Sequence, residues 1–108
     1  MSFPTPEKHD LDLGSGVYAA FMGYAQERHP DAPDKCGVII SHPAPTETGR
    51  CGGAVFWWRP VGEQGPVWTL NSLEPLDLSP SIRCKQPLKN GEMFEFHGYI
   101  KQGRWVAA

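Results

Sequence analysis

The sequence lacks several features that would point to a function at once. None of its apolar runs approaches the roughly 20 residues that a membrane-spanning helix needs, so we expect no membrane role. None of its three cysteines forms a CxxC pair, the spacing that makes a zinc site specific in sequence. Glycine-rich phosphate loops and the HExxH pair of zinc hydrolases are also missing. These absences disfavour a membrane role and a nucleotide-binding function.

A large net charge is missing as well. The formal charge is −2, so a dominant nucleic-acid surface is not expected, because affinity for phosphates comes largely from clustered Lys and Arg. The charge is uneven, since residues 83–108 carry five basic side chains against two acidic ones. This basic tail is either a solvated strand face or a contact surface for an acidic partner.

The first ten residues contain no apolar core of signal-peptide length. We therefore expect a cytoplasmic protein. In a reducing compartment an odd number of cysteines stays free or binds metal instead of forming structural disulfides.

Glycine and proline are abundant, with 12 and 11 of the 108 residues. They shorten regular elements and leave a small core, which a metal cross-link would stabilise. The length predicts a single domain, 1–108. We divide it into an extended N-terminal arm at 1–13, a helix at 15–28 and a β-rich, metal-binding part at 36–106.

The pattern of apolar residues predicts an α+β fold that is mostly β. The helix is indicated by an apolar stripe at i, i+3, i+4 and i+7, formed by Val17, Ala20, Phe21 and Tyr24, with Ser15 as its N-cap. Downstream, short apolar segments between turn residues predict about five antiparallel strands, on which the helix packs.

The most regular predicted element is a C-terminal hairpin around Asn90-Gly91, a strong turn dipeptide. Its second strand spans about Met93 to Ile100. Because strand side chains alternate, Glu95 and His97 lie on the face opposite Phe96.

Cysteine and histidine side chains from separate loops predict a zinc site. The preferred ligands are His42 and Cys51, which flank one Pro/Gly loop, and Cys84 and His97, which flank the hairpin. Cys36 is the alternate ligand. Each pair closes a loop, so zinc would tie two weak loops together and its binding energy would be folding energy.

Simpler interpretations of these residues stay open. A free cysteine often packs as a small hydrophobe, which suits Cys36 at the start of an apolar strand. His42 could be an exposed loop histidine. An enzyme is the other alternative, a zinc-dependent hydrolase with Glu95 as general base beside His97.

The C-terminal third resembles a family of small uncharacterised proteins of actinobacteria and their phages. The resemblance rests on the run 73–82, with its Leu-Ser-Pro-Ser-Ile segment, then Cys84, His97-Gly98-Tyr99-Ile100 and Gly103-Arg104-Trp105. It implies a zinc-binding fold, often encoded by a phage and therefore in the host cytoplasm, with no established activity. This chain carries Lys85 to Glu95 where related chains usually place a second cysteine close before the histidine.

Four tryptophans in so small a chain predict a partner-binding surface. Trp57 and Trp58 are adjacent and face opposite ways in a strand, so at least one must be covered by the helix or by a partner. A tryptophan beside Arg59 is typical of a protein-binding hot spot. The sequence therefore favours a zinc-binding accessory protein that binds another protein. A hydrolase is the alternative, and nucleic-acid binding by the basic C-terminal hairpin is third.

Overall fold

A computed structural model of the chain describes residues 3–108, which form nine β-strands and no helix. Every strand pairing is antiparallel. Within the described residues, no helix is long and apolar enough to cross a membrane. The strands are β1 (Leu11–Asp12), β2 (Tyr18–Met22), β3 (Gly37–Pro43), β4 (Arg50–Phe56), β5 (Thr69–Leu73), β6 (Leu76–Ser79), β7 (Ile82–Pro87), β8 (Met93–Lys101) and β9 (Arg104–Ala107).

The strands form three sheets in chain order. The first sheet has the order β1-β2-β3-β4, the second is the β5-β6 pair, and the third has the order β7-β8-β9. β4 and β7 are therefore edge strands of different sheets. They lie side by side, since the Cys51 thiol of β4 donates a hydrogen bond to the Gln86 side chain of β7 over 3.1 Å.

The core lies where the buried faces of the three sheets meet. Strand alternation turns Val38 and Ile40 of β3, Leu76 and Leu78 of β6, and Ile100 of β8 inward. Trp105 of β9 packs among them, and its backbone N–H donates to the Leu13 carbonyl over 2.7 Å. The third sheet is thus bound directly to the start of the first.

The predicted α+β fold with a helix at 15–28 is wrong. Gly14, Ser15 and Gly16 all have left-handed φ angles, of 79°, 56° and 75°, and form the tight turn between β1 and β2. Ser15 therefore cannot cap a helix. From Tyr18 to Met22 every residue pairs with β3. Pairing with this strongly apolar strand outweighs the local helical preference, which Gly16 and Gly23 already weaken.

The predicted N-terminal arm, 1–13, is also shorter than expected. Met1 and Ser2 lie outside the described residues. β1 already adds Leu11 and Asp12 to the first sheet, and Leu13 is buried in the core. Of the described residues, 3–10 precede the sheet.

The prediction of about five strands is wrong in number because β1 and β2 occupy the predicted arm and helix, and β6 follows β5 as a further strand. β4 ends at Phe56, so Trp57 and Trp58 follow the strand and are not part of it. The predicted C-terminal hairpin is formed by β7 and β8. β9 then returns along β8 and completes the third sheet.

Candidate metal centre

His42 and Cys51 form a cross-strand pair at the end of the first sheet. The register of β3 and β4 places them directly opposite each other. Opposed residues on antiparallel strands project to the same face, with their Cβ atoms about 5 Å apart. His42 continues the buried face that begins with Val38 and Ile40, so this pair lies at the edge of the core.

Cys84 reaches the same place from the third sheet. It is the third residue of β7, and its thiol lies 3.9 Å from the Gly52 carbonyl oxygen of β4. The ligand atoms of His42, Cys51 and Cys84 all lie within 4.8 Å of one another. A metal ion held by this group would join β3 and β4 of the first sheet to β7 of the third.

The His42 imidazole is arranged as a metal ligand. Its Nδ1 lies 3.0 Å from the Pro43 carbonyl oxygen, so Nδ1 carries the proton and donates it, while Nε2 keeps a lone pair. The side chain is 0% exposed, and Nε2 is the buried side-chain nitrogen or oxygen without a hydrogen-bond partner among residues 3–108. An unsatisfied buried group costs about 1–3 kcal/mol. A metal on Nε2 would remove that cost.

The surroundings of His42 favour the neutral form of its imidazole. Burial, and to a smaller extent the positive charge of Arg50, lower the pKa of His42, while its hydrogen bond to Pro43 acts in the opposite direction. Neutral imidazole is the form that ligates metals, and a backbone carbonyl that accepts a hydrogen bond from the other ring nitrogen commonly orients it.

Aromatic rings fix the orientation of His42. The ring of Phe96 stacks on the imidazole with a centroid distance of 4.1 Å and an interplanar angle of 3°. Trp105 stacks on the other side of Phe96 at 4.9 Å. The imidazole is therefore the first ring of a stack that ends in the core, and its ring plane cannot tilt without disrupting that stack.

The surroundings of Cys84 favour its protonated thiol. Burial raises its pKa, and the neighbouring Cys51 thiol raises it further. Cysteine binds metal as the thiolate, so a proton must leave before the metal can bind.

Zinc affinity is accordingly expected to rise with pH through neutrality and beyond. His42, with its lowered pKa, is already neutral there, whereas Cys84 still loses a proton on binding. Competition with a chromophoric chelator over a pH series would measure this dependence. A plateau that begins just above the ordinary histidine pKa, about 6.5, would contradict the thiol assignment.

The structure places the fourth predicted ligand, His97, away from this group. Cys84 is paired with Phe96 across β7 and β8, and His97 is paired with Arg83. Side chains alternate along β8, so Phe96 faces the site and His97 points from the opposite face. Among the described residues, the cluster consists of His42, Cys51 and Cys84 without His97.

The alternate ligand Cys36 is also elsewhere. It is completely buried just before β3, and its thiol donates to the Pro33 carbonyl oxygen over 3.2 Å. It stands at the opposite end of β3 from His42, which explains why the two cannot share an ion.

Glu95, the alternative general base, lies on the His97 face of β8. Its carboxylate contacts Arg83 at 3.3 Å and Lys85 at 3.9 Å. The register that puts Cys84 opposite Phe96 thus keeps Glu95 on the outer face of the third sheet.

The predicted partner-binding residues lie at the far end of β4. The Trp57 indole N–H donates to the Lys35 carbonyl oxygen over 2.8 Å. Arg59 stacks on Phe56 at 4.2 Å and forms an ion pair with Glu63 at 3.0 Å. Trp57 and Trp58, with Leu70 and Leu73, border a depression of about 440 Å³. Below, these four residues are called the Trp57 surface.

Sequence reasoning missed Phe96 and Gln86, which border the metal-ligand group. The available signal was strand alternation: Gln86 is two residues from Cys84 on β7, and both therefore share one face. It also missed an open groove of about 1070 Å³ beside Cys51, bounded by residues 3–5, 45–48, 50–52 and 86–89 and by Ser41. Below, this is called the Cys51 groove.

Comparison with known proteins adds no family to this geometry. No family model matches the chain, and neither the curated proteins nor the solved structures contain a match to it.

Proposed function

We propose that this protein is a small zinc-binding accessory protein that acts by binding another protein. Two observations carry the zinc assignment: the ligand atoms of His42, Cys51 and Cys84 lie within 4.8 Å of one another, and Nε2 of His42 is buried without a hydrogen-bond partner. Thiolate and imidazole together are a donor set that zinc prefers. The ion is structural, because its ligands come from two different sheets.

Metal content is the first test of this proposal. Protein purified without added metal is expected to contain one zinc per chain, and the Cys51→Ser and Cys84→Ser variants are expected to contain none. His97→Ala is the matched control, because it removes an imidazole outside the cluster and should keep the metal. Parent protein without zinc, or a loss of zinc in His97→Ala, would contradict the assignment.

The Trp57 surface supports the protein-binding part of the proposal. Trp57 is anchored by its bond to Lys35, and Leu73 beside it is 40% exposed. Aromatic and aliphatic side chains around a shallow depression form the kind of anchor that protein partners bury. Arg59 contributes less than the sequence indicates, because its guanidinium is already paired with Glu63.

Binding is tested with a pair of charge substitutions. A partner captured from cells that produce the protein is purified and titrated against Leu73→Asp and against Val61→Asp, which changes an exposed residue outside the surface. We expect the first to weaken binding at least about tenfold, or 1.4 kcal/mol, and the second to leave it unchanged. Equal affinities for both variants would rule out this surface.

The cellular setting is part of the same proposal. The three cysteines are free, which suits a reducing intracellular compartment. The resemblance of the C-terminal third to actinobacterial and phage proteins supports a phage-encoded protein in the host cytoplasm.

The two alternatives receive less support. Glu95 faces away from the cluster, and the carboxylate that lines the Cys51 groove, Glu47, is paired with Lys89. In the basic hairpin, Arg83 and Lys85 are paired with Glu95, which reduces the charge available for phosphates. We therefore propose neither a hydrolase nor a nucleic-acid binder.

A further inference from the structure

The metal-ligand group supplies fewer donors than zinc normally takes. Within residues 3–108 the cluster has three members, one imidazole and two thiols. Zinc in proteins is almost always tetrahedral in structural sites, and a site with three protein ligands takes its fourth from water or from a bound molecule. One coordination position is therefore left for a group from outside the cluster.

Of the three ligands, Cys51 borders the Cys51 groove. His42 is completely buried and covered by the Phe96 ring, so an incoming group cannot approach from its side. Cys51 is partly exposed and lines the groove, as does Gln86, whose side-chain oxygen accepts the Cys51 hydrogen bond. The groove is open and large enough to admit a small molecule or a peptide side chain.

The charge around the groove favours an anionic donor. Arg50 lines it, and its guanidinium donates to the Ser41 hydroxyl over 2.6 Å and to the Gly16 carbonyl oxygen. Among the described residues, no carboxylate lies within ion-pair distance of Arg50.

We propose that the fourth coordination position is open to the Cys51 groove and accepts a thiolate from outside the chain. This inference rests on the zinc site proposed above. Thiolate is chosen over carboxylate because zinc is a borderline-soft ion that binds sulfur strongly. With zinc held by His42, Cys51 and Cys84, an incoming thiol would release its proton to the solvent, and its sulfur would take the place of a zinc-bound water.

Cobalt(II) provides the test, because it binds zinc sites and reports thiolate ligation by its charge-transfer absorption. The cobalt-loaded protein is titrated with 2-mercaptoethanol, with the tripeptide acetyl-Gly-Cys-Gly-amide and with its serine counterpart. The charge-transfer band is expected to grow by about one half as two thiolates become three. The serine peptide is expected to leave it unchanged. Cobalt retained after desalting confirms that the thiol has not removed the ion.

Arg50 tests the electrostatic part of the inference. Arg50→Gln is expected to weaken thiol binding several-fold without loss of cobalt, and Arg50→Lys is expected to restore much of the thiol affinity.

The two thiol probes distinguish the source of the ligand. A response to 2-mercaptoethanol alone assigns the position to small thiols, and a response to both probes extends it to cysteine side chains of a partner.

The failures of the two proposals differ. A protein that takes up no cobalt overturns the metal site and this inference with it. A protein that binds cobalt but shows no change with any thiol has a closed coordination sphere, which overturns the open position alone.

Discussion

Removing zinc from the loaded protein is expected to lower its thermal midpoint by roughly 15 °C. Free zinc at about a thousandfold above its Kd stabilises the folded protein by about 4 kcal/mol, and in a domain of this size that free energy corresponds to such a shift. The reason is that the ion joins β3 and β4 to β7, whose edges otherwise meet through few polar contacts such as the 3.1 Å Cys51–Gln86 hydrogen bond. Thermal melts with and without a chelator measure the effect.

Variants separate the metal contribution from packing. Cys51→Ser removes a ligand with little change in volume and should melt like the chelated parent, with no further response to chelator. His42→Ala also loses the ring that stacks on Phe96, so it should be less stable still. His97→Ala should retain the full chelator effect. A parent protein whose melt ignores the chelator would contradict the role of the ion.

Replacing Gly98 with alanine is expected to destabilise the protein by an amount at the upper end of about 1–3 kcal/mol. A Cβ at Gly98 would lie 2.5 Å from the Trp105 ring and 2.6 Å from the Val106 carbonyl oxygen. Both contacts are too short, so the Trp105 ring and the paired backbone of β8 and β9 must shift. Because Trp105 stacks on Phe96, which covers His42, zinc affinity is expected to fall as well.

Gly53→Ala is the matched control, since it also introduces a methyl group into a strand. A Cβ at Gly53 meets nothing within 4 Å, so we expect a change within about 0.5 kcal/mol. Urea unfolding of both variants measures the difference in free energy. Equal stabilities for Gly98→Ala and Gly53→Ala would show that Trp105 does not pack against β8 in this way.

The metal-ligand group illustrates how far the sequence alone could lead. Cysteines and histidines are few, so chemistry alone identified His42, Cys51 and Cys84 as candidates that the structure places together. Whether the fourth candidate, His97, joins the group depends on the pairing register of β7 and β8. The predicted alternation already put His97 opposite Phe96, but only the pairing of Cys84 with Phe96 shows which face carries the site.

The helix prediction failed for a related reason. The stripe from Val17 to Tyr24 reflects local periodicity, whereas the strand from Tyr18 to Met22 is decided by its partner, β3. Gly14 and Gly16, which flank Ser15, can either weaken a helix or form a left-handed turn. The sequence does not distinguish these two outcomes. The C-terminal hairpin was easier to predict because Asn90-Gly91 specifies its turn locally.

The fold places the site at a junction that no sequence pattern marks. β4 and β7 belong to different sheets and are adjacent only after folding. The Cys51 groove follows from the same adjacency, because its walls come from residues 3–5, 45–48, 50–52 and 86–89. Long-range packing of this kind lies beyond periodicity and turn signals.

X-ray absorption at the zinc edge tests the central assignment most directly. For the loaded protein we expect two sulfur neighbours at about 2.3 Å and one imidazole nitrogen at about 2.0–2.1 Å. A spectrum of His97→Ala identical to that of the parent would complete the assignment. A first shell without sulfur, or one that loses an imidazole in His97→Ala, would contradict a centre built from His42, Cys51 and Cys84.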